Sequence, residues 1–312
     1  MEYRTLGKSG LKVSCVGLGC NNFGGRLDFE GSRAVVHKAL ELGVTLLDTA
    51  DSYGGKGASE AFLGRILGPR RADVVLATKF GWPLDKEETL KGASRRYIMT
   101  AVEASLKRLQ TDWIDLYQQH VPDPQTPIDE TLRALDDLVR QGKVRHIGCS
   151  NFTPAEVDAA VQASKNGGLA AFVSCQGQYN LLSREVEKEL VPALERHGFA
   201  LIPFAPLANG MLTGKYRAGA PLPANTRLTN RPSQRYLNDA NWQVLERLQT
   251  YCAGHGRSVL ELAFGWLLAH PAVPSVIAGA MTPEQLQQNV NAAGWKLAAA
   301  EMAEIDGLTR KA

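Results

Sequence analysis

The residues with the most chemistry to offer stand at the ends of apolar runs. Leu46-Leu47 runs into Asp48, and Tyr53 follows five residues on, ahead of Gly54-Gly55-Lys56-Gly57. Val74-Val75-Leu76-Ala77-Thr78 closes on Lys79, and Ile114-Asp115-Leu116-Tyr117-Gln118-Gln119 closes on His120. A tyrosine with a pKa of about 10 exchanges its proton poorly at neutral pH. An ammonium beside the hydroxyl favours the phenolate and lowers that value. A carboxylate behind the lysine keeps the amine charged and fixed, and a neutral imidazole orients a substrate oxygen. Asp48, Tyr53, Lys79 and His120 together make general acid/base machinery for a carbonyl or an alcohol. None of them supplies electrons, so a hydride-carrying cofactor is implied. Singly, each has an ordinary explanation: a satisfied polar histidine, a lysine snorkelling to water, a tyrosine packed on its loop. The chemical reading rests on their joint occurrence at successive strand ends.

Those strand ends belong to a rhythm. After an expected β-hairpin over residues 3–13, with its turn at Gly7-Lys8-Ser9-Gly10, strand-like runs end at Gly17-Leu18-Gly19, Asp48, Lys79, Gln118, Ser150, Gln176, Pro203 and Ala278. Helical periodicity fills the intervals, as in Ser32–Leu42, Ala58–Leu67, Ile98–Gln110, Thr131–Gln141, Ala155–Ser164 and Glu185–His197. Eight alternating units with no linker predict a parallel sheet closed into a (β/α)8 barrel, one domain over residues 1–312. In such barrels the carboxyl ends of the strands carry the active site, which is where the four candidates fall. Leu207–Asn238, rich in Gly, Pro, Asn and Arg, reads as a long functional loop. Ala299–Leu308 reads as an extra C-terminal helix.

Bulk properties exclude several classes. A net charge of +3 over 312 residues gives no case for nucleic acid. No apolar stretch reaches the ~18 residues of a membrane span. The five cysteines are an odd number without metal-ligand spacing, and Met1-Glu2-Tyr3-Arg4 starts no signal peptide. The expected setting is therefore the cytoplasm, with no metal. The sequon Asn151-Phe152-Thr153 reads as a chance match. Gly17-Leu18-Gly19-Cys20-Asn21-Asn22-Phe23-Gly24 imitates a dinucleotide fingerprint, but its third glycine is misplaced and no helix starts there, so a Rossmann reading is rejected. No heptad seam marks an oligomer contact.

The motifs Leu46-Leu47-Asp48-Thr49-Ala50-Asp51-Ser52-Tyr53-Gly54, Ala77-Thr78-Lys79 and Gln119-His120 resemble those of the aldo-keto reductases, and the resemblance covers essentially the whole chain. The branch it resembles holds potassium-channel β-subunit-like proteins and bacterial aldo-keto reductases. The resemblance implies that the initial hairpin plugs the barrel floor. It implies that Tyr53 donates a proton, Lys79 tunes it, Asp48 holds Lys79 and His120 orients the carbonyl. It also implies the cofactor NADP(H), with NAD(H) the other candidate, and a small carbonyl or alcohol substrate. Cys20 and Asn21 would touch the cofactor ribose, while Ser150, Asn151 and Gln176 would bind the nicotinamide amide. Phe204 would stack on its ring, with Pro206 in the same cofactor-binding stretch. Backbone N–H groups from Leu207 through Gly210 to Leu212, with Lys215, would hold the pyrophosphate, and Asn289 the adenine. Phe23 and Trp82 would join Tyr53 and His120 in walling the substrate pocket.

One departure from the family pattern concerns the coenzyme. Where many members grip the 2′-phosphate with lysine, serine and arginine, this chain has Gly279, Ala280 and Gln285, and Gln288 replaces a glutamate near the adenine. Arg217, Arg227 and Arg231 are the candidates to compensate. Two rivals remain: a nucleotide-binding regulatory subunit with slow turnover, as channel β subunits would suggest, and a Schiff-base lyase using Lys79.

Overall fold

The computed structural model describes residues 1–310 apart from Lys86, Ala224, Asn225 and Asn230, and describes Arg231 and Pro232 by backbone only. A two-stranded antiparallel hairpin, β1 (Tyr3–Thr5) and β2 (Lys12–Ser14), precedes an eight-stranded parallel sheet. Its strands are β3 (Val16–Gly19), β4 (Leu46–Asp48), β5 (Val75–Phe80), β6 (Ile114–Gln119), β7 (Val144–Ser150), β8 (Phe172–Gln178), β9 (Ala200–Phe204) and β10 (Val276–Ala278). They pair in chain order from β3 to β9, while β10 pairs with β3 and packs beside β9. That arrangement closes a (β/α)8 barrel.

Period-two alternation decides which side chains face inward. In β4, Leu46 joins an apolar cluster inside the barrel and Leu47 joins the one under the helices, so Asp48 returns to the interior. In β5, Val75 and Ala77 point in and Leu76 points out, which brings Lys79 inward. In β6, Leu116 points in and Tyr117 out, so Gln118 and then His120 follow inward. Registers Asp48↔Ala77 and Lys79↔Gln118 set these side chains at one rim. Strands β5 and β6 are buried along their whole length, because helices cover the outer face and packed side chains fill the inner one.

Capping fixes where the helices start. Asp28, Ser94 and Thr153 cap α1 (Phe29–Glu41), α3 (Arg95–Leu109) and α5 (Pro154–Gly167), each accepting a backbone N–H. Between α1 and α3, α2 (Ala58–Leu67) follows left-handed Gly57; after α3, α4 (Ile128–Arg140) follows Pro127. The expected helix over Glu185–His197 is in fact split. A 3₁₀ turn spans Glu185–Glu187, and α6 (Leu190–His197) begins only where Pro192, which has no N–H, can sit in a first turn. The described residues of 207–238 form an irregular path with short 3₁₀ turns at Ala208–Thr213, Arg227–Thr229 and Arg231–Tyr236. Two helices precede β10, α7 (Asp239–Gly254) and α8 (Val259–Ala269), and two follow it, α9 (Pro283–Ala292) and α10 (Ala299–Leu308). No helix among the described residues is long and apolar enough to cross a membrane.

The hairpin seals the lower end. Leu6 and Val13, both fully buried, pack with Leu46, Ala77, Leu116 and Ile202 in the inner cluster. Leu6→Ala should therefore cost about 2–5 kcal/mol, the usual range for a buried leucine left as a cavity. Urea unfolding would show it as a lower midpoint at unchanged slope. A loss below about 1 kcal/mol would mean that the hairpin lies loosely on the barrel floor.

Candidate active site

The residues that the sequence singles out converge at the carboxyl end of the barrel. Lys79 Nζ lies 2.6 Å from Asp48 Oδ2, 2.8 Å from the Thr49 carbonyl oxygen and 3.3 Å from Tyr53 Oη. Lys79 and Asp48 are 1% and 4% exposed. A buried ion pair is tolerable only when its remaining lone pairs and protons are satisfied. Here Asp48 Oδ1 accepts from Gln176 Nε2 at 2.6 Å and Gln118 Nε2 at 3.2 Å. The rings of Tyr53 and His120 meet edge to face at 5.8 Å, and the Trp82 ring lies 5.5 Å from that of His120.

Electrostatics separates the roles. Burial pulls the Lys79 amine down, but Asp48 and then Tyr53 outweigh it and hold its pKa above the ordinary value. An amine kept charged is a poor nucleophile, so nothing here supports Schiff-base chemistry. For Tyr53 the balance is the reverse of the simple expectation. Burial raises the phenol, Lys79 pulls it down, and burial wins. The hydroxyl is thus held in its protonated, donating form. Burial, aided by the Lys79 charge, pushes the His120 imidazole down to about 3, so the ring is neutral near pH 7.

Tyr53, His120 and Asp48 line a cavity of about 610 Å³, together with Asn21, Ser150, Asn151, Gln176, Phe204, Pro206, Leu207, Gly210, Lys215, Arg227, Gly279, Gln285, Gln288 and Asn289. A volume of that order suits a cofactor or small ligand. Four expected members, Phe23, Cys20, Leu212 and Trp82, are not in its wall. Phe23 is fully buried in the outer core and bridges to Leu27, because its loop turns the ring inward. Cys20 is likewise fully buried, its thiol donating to the Leu18 carbonyl. Leu212 packs in the core, and its N–H, like that of Gly210, donates to the Leu207 carbonyl. Trp82, 47% exposed, stands at the rim. Residues that the sequence reading did not single out also line the cavity, notably Asn22, Arg26, Asn209, Thr226 and Arg235. Ala205, Ala208 and Asn209 all adopt left-handed backbone, a strain that gathers at functional loops and that only the structure shows.

Several side chains are already engaged. Asn151 Nδ2 donates to the His120 carbonyl at 3.0 Å and to Ser150 Oγ at 3.1 Å, tying β7 to the histidine. Gln285 Oε1 accepts from the Met281 N–H at 2.8 Å. Arg227 donates to Asn22 Oδ1 at 2.7 Å and Asn21 Oδ1 at 3.2 Å, joining the loop after β9 to the loop after β3. Arg217 donates to the carbonyls of Gly214 and Tyr216 and does not line the cavity. The Arg231 side chain lies outside the described residues.

Residues 15–310 match the aldo/keto reductase family. The chain belongs to that family. It is 34% identical to the L-glyceraldehyde 3-phosphate reductase of Escherichia coli (strain K12), over 98% of this chain and 92% of the relative. It is 35% identical to a probable voltage-gated potassium channel subunit beta of Arabidopsis thaliana, over 94% and 91%. A similar subunit of Oryza sativa subsp. japonica is also 35% identical over the same shares. Family and fold support oxidoreductase chemistry with a nicotinamide nucleotide, and the cavity fits one. Its wall joins an aromatic ring (Phe204), amides (Asn151, Gln176, Asn289) and cations without a carboxylate partner among the described residues (Lys215, Arg227).

The His120 environment has a measurable consequence. Unfolded, its imidazole titrates near 6.5, about the reference value. Folded, it stays neutral down to about 3. Below the unfolded value the unfolded chain binds a proton that the folded chain refuses. The stability contribution is therefore complete above about pH 6.5 and is lost as pH falls toward 3. His120→Gln should lose about 1–2 kcal/mol less than the parent between about pH 7.5 and about pH 5. Equal losses in both proteins would show that His120 is protonated in the fold.

Proposed function

We propose that this protein reduces aldehydes or ketones to alcohols, reversibly, with Tyr53 as the general acid and NADP(H) as the preferred coenzyme over NAD(H). The observation that carries the reading is the chain of contacts from Asp48 through Lys79 to the Tyr53 hydroxyl, which ends in the cavity wall. A nicotinamide nucleotide held in this cavity would supply the hydride that a carbonyl carbon needs. Tyr53 transfers its proton to the carbonyl oxygen as that oxygen gains electron density. The ammonium of Lys79 stabilises the phenolate left behind, and Asp48 keeps that ammonium in place. Neutral His120 orients the carbonyl oxygen without competing as an acid. Ser150, Asn151 and Gln176 would hold the nicotinamide amide, Phe204 its ring, Lys215 the pyrophosphate, since the N–H groups of Ala208, Gly210 and Leu212 are already given to carbonyls of their own loop, and Asn289 the adenine.

A second reading, a nucleotide-binding regulatory subunit with slow turnover, draws support from the similarity to the plant channel subunits. Arg227, linking two loops across the cavity, would retard nucleotide exchange. Steady-state turnover with a panel of aldehydes and ketones, followed by NADPH absorbance, separates the two readings.

Tyr53→Phe keeps the ring and removes only the transferable proton. It should retain nucleotide binding while kcat falls by about 10²–10⁴, the span of general acid/base groups. Retention of more than roughly a tenth of the parent kcat would remove Tyr53 from this role.

Coenzyme choice follows from what stands near α9. Gly279 offers no side chain, Gln285 is turned to Met281, and of the three candidate arginines Arg227 is the one whose described side chain lines the cavity. A charged hydrogen bond is worth ~1.5–3 kcal/mol. With one such anchor, NADPH should be preferred by a factor of about 10–100 in kcat/KM, or ~1.4–2.8 kcal/mol. Arg227→Met should erase most of that margin. Measured at low ionic strength, a preference above roughly 10³ or a clear preference for NADH would each rule out this account.

A further inference from the structure

Behind Tyr53, outside the cavity, lies a second cluster of titratable groups that the proton transfer does not use. Asp51 and Glu60 are both fully buried. Glu60, on α2, accepts from Thr78 Oγ1 on β5 at 2.5 Å and from Arg108 Nε on α3 at 2.7 Å. Asp51 Oδ2 accepts from Tyr97 Oη on α3 at 3.4 Å, and Asp51 Oδ1 has no partner. Arg108, the arginine of this cluster, is paired with Glu60, and no cation pairs with Asp51 among the described residues. Tyr117 points outward from β6, and its buried hydroxyl also lacks a partner. Burial and then the Asp51 charge push that phenol up, so the two unpartnered groups share one compartment.

The cluster supports the segment that carries Tyr53. Past the end of β4 the chain stays paired with β5: the Thr49 N–H donates to the Ala77 carbonyl at 2.9 Å and the Asp51 N–H to the Lys79 carbonyl at 3.0 Å. The chain then turns, with the Tyr53 N–H donating to the Ala50 carbonyl at 3.2 Å. Asp51 and Ser52 are thus the central residues of the turn that aims Tyr53. The same cluster holds Thr78, the residue before Lys79. Arg108 runs beneath the glycine loop that follows Tyr53, where a Cβ on Gly57 would collide with its Nε. The contact all this governs is the 3.3 Å between Tyr53 Oη and Lys79 Nζ. That separation is already long for a hydrogen bond, so a small shift of the turn breaks it.

We propose that Asp51 is a positioning residue for Tyr53: its carboxyl, seated among Glu60, Tyr97 and Tyr117, holds the turn that sets the Tyr53 hydroxyl against the Lys79 ammonium. This rests on the carbonyl-reductase reading above and adds to it a group outside the cavity. The carboxyl acts as a neutral acid. Charged, it would be a buried anion with one long donor and a second carboxyl nearby, an arrangement that costs stability. Burial first and then Glu60 raise its pKa, Arg108 and then Tyr97 oppose them, and it is pushed up to about 7. Asp85, in the loop after β5, acts on Tyr97 in turn. Ionisation of Asp51 loosens the turn and draws Tyr53 away from Lys79.

The test is the pH profile of kcat for aldehyde reduction by the full-length protein saturated with NADPH. His120 stays neutral down to about 3 and adds no step near neutral pH. In the parent, kcat should fall by about tenfold between about pH 6.5 and about pH 8. Asp51→Asn, uncharged at every pH and close in shape, should keep the acid-side kcat and abolish the fall. Asp51→Ala removes the anchor and should lower kcat by about ten- to a hundredfold at every pH, the scale of a small misplacement of reacting groups. Tyr97→Phe removes a donor that favours the charged carboxylate, so its fall should lie at higher pH than the parent's. A parent profile without the fall, or a fall that Asp51→Asn retains, overturns the proposal. Should Asp51→Asn not fold, Tyr97→Phe decides alone: a shifted fall supports the role and an unshifted one removes it. If the protein reduces no aldehyde or ketone, the reductase reading fails separately. The NMR line of Tyr53 in protein carrying ring-labelled tyrosine, identified by its loss in Tyr53→Phe, then decides the role of Asp51. A line that moves with a midpoint near pH 7 in the parent and not in Asp51→Asn keeps it; a line that stays still, or moves alike in both, removes it.

Discussion

The buried ion pair of Lys79 and Asp48 is the constraint around which the rest of the barrel's upper end is built. Two unit charges removed from water cost several kcal/mol each, and their attraction repays this only with good geometry and further hydrogen bonds. The structure meets those terms from four strands: Asp48 on β4, Lys79 on β5, Gln118 on β6 and Gln176 on β8. The Thr49 carbonyl accepts another proton from the ammonium. A charge held this way cannot relax toward solvent. Its field acts on the group left within reach on the cavity side, the Tyr53 hydroxyl.

That field opposes burial at Tyr53 and reinforces it at His120. Burial keeps the tyrosine protonated and the histidine neutral, while the lysine charge eases proton loss from the one and opposes proton gain by the other. The outcome is a donor, a neutral orienting ring and a fixed cation within one rim, each in a different protonation state near pH 7. Such divergence among neighbouring titratable groups is the mark of assigned acid/base roles. A structural ion pair with no task would not need a tyrosine at its open end.

Around this centre the wall changes character. Behind it lie amides and a single paired carboxylate. Outward lie arginines and a lysine, borne on irregular loops rather than strands. The loop after β9 carries three of those cations and is tied by Arg227 to the loop after β3. Left-handed backbone at Ala205, Ala208 and Asn209 shows that its path is set by more than local preference. Strands β4 and β5 hold Asp48 and Lys79, Tyr53 and His120 stand just past strand ends, and the loops further out carry cations suited to anions, a division that leaves substrate choice free to change without disturbing the chemistry.

Much of this was legible in the chain itself. Apolar runs ending in Asp48, Lys79 and His120, spaced by helical periods, fix both the alternation and the rim, because side-chain direction in a strand has period two and parallel strands share a polarity. The barrel, its hairpin and the last helix follow from the same pattern. What the sequence could not decide lies where no period operates. Phe23 and Cys20 turn into the core rather than the cavity because their loop is folded against the Tyr53 loop, a contact between segments about thirty residues apart. The break before α6 depended on how far Pro192 could be carried into a first turn. The sign of the Tyr53 shift required the degree of burial, which a spacing argument omits. Arg26 and Arg235 were invisible for the same reason: a charged loop residue reads as solvated surface until the fold shows which cavity it faces and that no carboxylate meets it there.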